Sequence, residues 1–139
     1  MNFTEDEVRR LAGAWLAKAM TDVLVCEALD AQGGGFREVI ALHARLAVEK
    51  ALKALLVWHR IEIPQTHDLG ELIDLIAARD APLAECLGGA ADLAPHGVEY
   101  GYPGEQAPVS EAAAAAAVAQ AHRVIDEVGR RLSGDPGRL

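Results

Sequence analysis

Four basic side chains, Lys50, Lys53, Arg60 and His67, lie close together in the chain. Their chemistry is that of anion recognition, since ammonium, guanidinium and imidazole groups can all hold a phosphate. If a helix begins just after His67, its free backbone N–H groups would strengthen that hold. The formal net charge is −8, so an anion is repelled over most of the surface and needs such a convergence to bind. The expected ligand of these four residues is therefore a nucleotide or another anion. Arg60 and His67 also have six residues between them, a spacing that could pair a phosphate-steadying cation with a general acid/base, although so loose a pattern arises easily by chance. A metal cluster, a nucleophile triad and a Gly-rich phosphate loop are all lacking, so no metal, no cofactor and no catalytic residue is expected.

A second constellation involves a carboxylate. At 100° per residue Asp22 falls about 20° from Trp15, at the edge of an apolar stripe, and a carboxylate there needs a partner. His43 and Lys50 lie about 20° apart on another helix, flanking one groove. Either one of them pairs with Asp22, or the groove receives a phosphate or a partner. Arg45, Glu49 and Lys53 follow one another at i, i+4 and i+8, which reads as a solvated ladder worth a few tenths of a kcal/mol per pair. Leu42 and Leu56 fall in that same strip, where a monomer gains nothing by showing them to water. They are the expected interface of a symmetric homodimer.

The elements that carry these residues are helices. Ala, Leu and Glu dominate, aromatics make up 4% and β-branched runs are absent, so the fold class is all-α. A Thr4–Glu7 capping box predicts a first helix from Glu5 to about Asp30. Residues 31–35, AQGGG, form a connector short enough for an antiparallel hairpin. Phe36 to Arg60 has no Gly or Pro and is apolar around most of its circumference, which predicts a long central helix enclosed by others. Thr66 is placed to cap a third helix of roughly Asp68 to Arg79. A fourth is expected over about Ala81 to Ala94, weakened at Gly88-Gly89. Residues 95–109 hold three prolines, three glycines and both tyrosines, a long irregular loop in which Tyr100 and Tyr102 are expected to pack in the core or an interface. Ser110 then caps a last helix that opens with six consecutive alanines.

Composition bounds the rest. With 139 residues, the chain is expected to form one domain over residues 1–132 with a frayed tail at 133–139. No apolar segment is long enough to span a membrane and the opening MNFTEDEVRR is unlike a secretory leader, so a cytoplasmic location without a membrane partner is expected. The acidic balance also argues against nucleic acid as a partner unless a local basic patch exists. Cys26 and Cys86 lack metal or redox spacing and read as core thiols.

The motifs Trp15-Leu16-x-Lys18-Ala19-x-x-Asp22-Val23, His43-x-x-x-Ala47-Val48-Glu49-Lys50-Ala51-Leu52-Lys53-Ala54-Leu55-Leu56, Pro64-x-Thr66-His67-Asp68-Leu69 and Val98-Glu99-x-x-Tyr102-Pro103-Gly104 occur in this order. The chain thereby resembles the small stand-alone HEPN-domain proteins of prokaryotes. The resemblance spans about residues 12 to 130. It implies an up-and-down bundle of four or five helices, commonly a homodimer. Such proteins are often encoded beside a minimal nucleotidyltransferase, with which they form a two-component, toxin–antitoxin-like system. Some HEPN proteins are metal-independent RNases, in which an Arg steadies the phosphate and a His a few residues on moves the proton. Relatives of this type read Arg-Tyr-Pro in the loop, whereas this chain reads Gly101-Tyr102-Pro103-Gly104-Glu105-Gln106. Gly101 has no side chain to hold phosphate, and Gln106 has no titrating group. An interaction and nucleotide-binding role is therefore favoured over the RNase alternative.

Overall fold

The computed structural model describes residues 2–93 and 108–134. Helix α1 spans Glu5–Asp30, and its capping box is complete: Thr4 Oγ1 accepts from the Glu7 N–H at 3.1 Å while Glu7 Oε2 accepts from the Thr4 N–H at 2.7 Å. Glu5, Asp6 and Glu7 in the first turn complement the positive end of the helix dipole. Gly33, Gly34 and Gly35 then all adopt positive φ, between 86° and 97°, the conformation that reverses the chain into α2 at no steric cost.

Helix α2 spans Arg37–Trp58. It ends in a Schellman motif, with the Ile61 N–H bonded to the Leu56 carbonyl at 2.8 Å and the Arg60 N–H to the Val57 carbonyl at 2.9 Å. Arg60 occupies the left-handed position at φ 59°, where glycine is usual. Helix α3 spans Leu69–Ala77. Its cap is Asp68, whose Oδ1 accepts from the Gly70 and Glu71 N–H groups; the expected cap, Thr66, lies two residues too early and accepts from the Asp68 N–H instead. Helix α4, Ala81–Leu87, is capped by Asp80 and passes into a 3₁₀ segment, Gly88–Leu93. Two adjacent glycines cost the α-helix about 2 kcal/mol relative to alanine, so the expected single helix to Ala94 is interrupted at Gly88. Helix α5 spans Glu111–Leu132, with Ser110 Oγ accepting from the Ala113 N–H.

The expected all-α bundle is what forms, and among the described residues there is no strand. Helix α2 is the centre. It packs along α1, α5 and α3, and Ala44, Ala47, Val48, Ala51, Leu52, Leu55 and Leu56 are all fully buried on it. Helix α3 adds Leu69, Leu72 and Ile76, and α5 adds Ala117, Ala121, Val124 and Val128. Close approach of α5 follows from its alanines, which leave only a Cβ between backbones. Leu56 is thus a core residue at 0% exposure, which corrects its expected place on a dimer surface; Leu42 is half-buried. Cys26 is buried as expected, whereas Cys86 is exposed on α4, because Leu83, Ala84 and Leu87 occupy that short helix's inward face.

Candidate functional site

Two buried carboxylates organise the polar groups of the bundle. Asp22, on α1, faces α2 and receives both of its candidate partners: His43 Nδ1 lies 2.8 Å from Oδ1, and Lys50 Nζ lies 2.6 Å from Oδ2. The Asp22 side chain is 7% exposed and its two partners 28% each, so the group closes the α1–α2 seam at the edge of the core. Sequence spacing pointed to one partner. The hairpin supplies two, because His43 and Lys50 are seven residues apart and therefore two turns along one face.

Glu49 is the second hub, 4% exposed on α2. Arg45 Nη1 lies 3.1 Å from Oε1 and Lys53 Nζ 3.0 Å from Oε2, while His67 Nδ1 reaches Oε1 at 3.0 Å from the segment after α2. The Arg45 guanidinium also donates to the His67 carbonyl, tying that segment across the helix. Burial by itself raises the Glu49 pKa, but hydrogen bonds from Lys53 and His67, the Lys53 charge and the Arg45 bond together outweigh it and hold the carboxyl below its ordinary value. Lys53 Nζ further stands 5.6 Å over the Trp15 ring, a cation–π contact that joins α1 to the same cluster. The expected solvated ladder is therefore corrected to an enclosed network, since Arg45 and Glu49 are buried and His67 contacts both from the segment after α2, in which Ile61 and Ile63 pack against the core. The two isoleucines in the linker were the sequence signal for this packing, as apolar side chains there must find something to bury against.

The four expected anion-binding residues do not face one point. Lys53 and His67 meet at Glu49, Lys50 turns to Asp22, and Arg60 donates to the Phe3 carbonyl at the start of α1. His67 remains the most open of the ion-paired groups around Glu49, with 72% of its side chain exposed. The N-terminus of α3 already holds an anion, because the Asp68 carboxylate occupies the place where a phosphate would accept those N–H groups. Tyr102 and Pro103, together with Gly101 and Gln106, lie outside the described residues. Among the described residues no group of three or more His, Cys, Asp or Glu side chains could hold a metal ion.

A third polar feature escaped sequence reasoning. His59, at the end of α2, is 7% exposed, and its Nε2 has no hydrogen-bond partner. Burial lowers its pKa; the Asp80 carboxylate works against that shift, and Arg79 and Arg131 reinforce it. Asp80 in turn caps α4 and lies 3.4 Å from Arg131 Nη2 of α5. No helix is long and apolar enough to cross a membrane among the described residues.

These features define an all-helical domain built around one enclosed helix, whose buried Asp22 and Glu49 contacts tie that helix to α1 and to the segment that follows it. The HEPN domain family model matches residues 12–132, most of the chain, and the protein belongs to that family. No curated protein and no solved structure matches it significantly.

Proposed function

We propose that this chain is a non-nucleolytic HEPN interaction protein, a homodimeric partner of a minimal nucleotidyltransferase in a two-component, toxin–antitoxin-like system. The observation that carries this reading is the internal use of the candidate phosphate-binding side chains. Lys50 and His43 are bound to Asp22, and Arg45, Lys53 and His67 are bound to Glu49. A nuclease or a nucleotide-binding domain needs cations free to meet a phosphate, and taking one from a buried carboxylate costs several kcal/mol. The Gly101 and Gln106 identities add to this, because neither can perform its part of the family's RNase chemistry. What the surface does offer is apolar area: Met20 and Leu24, one turn apart on the outer face of α1, are 52% and 61% exposed.

The test is co-expression with a minimal nucleotidyltransferase from the same genome, followed by light scattering of the purified material. A complex containing two copies of this chain supports the reading; separate monomers overturn it. Cleavage of RNA by the purified chain, lost on His67→Ala, would overturn its non-nucleolytic half.

A further inference from the structure

A cavity of about 550 Å³ opens between the end of α1, the start of α2 and the first turns of α5. Its origin is in the sequence. The alanine run places Ala112, Ala114 and Ala115 along one wall, and Gly34 faces them from the connector, so no side chain fills the space. The floor is apolar, made by Cys26 and Ile40, both buried, with Val118 beside them. The Phe36 ring stands at the rim, 39% exposed, although an aromatic of that size would normally be covered.

The rim is mainly acidic. Glu27, Asp30 and Glu111 contribute three carboxylates and Arg37 one guanidinium, so the lining carries a net charge of −2. The positive end of α5 offsets part of this, although the Ala113 N–H is taken by Ser110 Oγ and the Ala114 N–H by the Ser110 carbonyl. Cavities of roughly 300–1,000 Å³ with apolar walls and a few polar groups are of the size that encloses small molecules. Phosphates and carboxylates are repelled from this one. We infer that the cavity binds an organic ammonium ion with an apolar body, an aryl- or alkylamine. The body rests on Ile40, Val118 and Ala115, and the ammonium group sits among the carboxylates and against the Phe36 face. Cys26 takes no covalent part. Burial, with the Asp22 charge second, pushes its thiol up to about 11, and it donates to the Ile40 carbonyl at 3.3 Å.

The experiment is a nuclear magnetic resonance titration of the isotope-labelled full chain with naphthylmethylamine, with naphthoic acid and naphthylmethanol as anionic and neutral probes of similar shape. The amine is expected to shift the amides of Gly34, Phe36, Ala112 and Ala115 saturably, and the anion to bind at least about tenfold more weakly. Ala115→Leu, which fills the cavity with a residue of nearly equal helix propensity, should weaken amine binding about tenfold or more while the rest of the spectrum stays in place. Glu111→Gln should weaken the amine several-fold and leave the alcohol unchanged. Equal binding of amine and acid, shifts scattered away from the cavity, indifference to Ala115→Leu, or no saturable amine binding would each overturn the proposal. Because the naphthyl probes do not involve a nucleotidyltransferase, their failure is distinct from failure of the partner reading.

Discussion

Glu49→Gln is the substitution that most sharply separates a solvated ladder from an enclosed network. The side chain keeps its shape, but one of the two oxygens that accept from Arg45, Lys53 and His67 becomes an NH₂ group pointing at other donors. On an exposed strip the loss would be a few tenths of a kcal/mol per pair. With Glu49 4% exposed and Arg45 2% exposed, the change breaks a buried ion cluster, which costs about 3–5 kcal/mol. For a chain of this size each kcal/mol lowers the midpoint of thermal unfolding by about 3 °C, so a fall of about 9–15 °C is expected. In urea, with a slope of about 2 kcal/mol/M, the midpoint should drop by about 2 M. The assay is urea unfolding followed by far-ultraviolet circular dichroism. The carboxyl is held below its ordinary 4.5, so it binds fewer protons folded than unfolded, and its contribution is full above about that pH and disappears as pH falls through the lowered value. The gap between the wild-type protein and Glu49→Gln should narrow accordingly in acid. A loss under about 1 kcal/mol at neutral pH would refute the enclosed network and restore the ladder.

Leu56→Glu should unfold the chain rather than merely separate two copies, since a fully buried leucine is replaced by a charge; Leu56→Ala alone should cost about 2–5 kcal/mol, independent of protein concentration in a dilution series of melting curves. A natively folded Leu56→Glu monomer would return this residue to a surface. His59 has a pKa below 6.5 in the folded chain, so the unfolded chain binds the extra proton and stability should fall as pH drops below about 6.5. His59→Leu should remove that part of the slope in urea titrations across about pH 5 to 7, and an unchanged slope would count against it. Of the two thiols, exposed Cys86 should alkylate readily in the native protein, and Cys26, pushed up to about 11, only after unfolding. Mass spectrometry showing two labels before unfolding would contradict the packing of α1 on α2.

Local signals carried far in this chain. The capping box at Thr4 and Glu7, the glycines of the α1–α2 turn, the length of the α2 pattern and the Ser110 cap are each written within a few residues, and each forms where it is read. Caps and periodicity depend on groups three or four positions apart, which a sequence displays directly. The pairing of Asp22 across the first hairpin was readable for the same reason: a carboxylate on an apolar stripe demands a partner, and few cations face it.

The environment of the α2 polar strip belonged to the tertiary structure. The spacing of Arg45, Glu49 and Lys53 is the same whether the strip meets water or protein, and only the packing of the other elements around α2 decides that Glu49 is buried and that Leu56 belongs to the core. Likewise Lys50, Lys53, Arg60 and His67 are neighbours in sequence, yet the helical turn of 100° per residue separates Lys50 from Lys53 and a Schellman end sends Arg60 toward Phe3, so only Lys53 and His67 share a partner, Glu49. The cavity at the alanine run has the same character, for it depends on which walls face it across three helices. Sequence alone determined the all-helical fold, the long helices and the caps at Thr4 and Ser110, because those rest on interactions local to the chain. The assignment of each charge to a partner, and of each apolar residue to core or surface, was decided by packing, because it rests on groups brought together from distant positions.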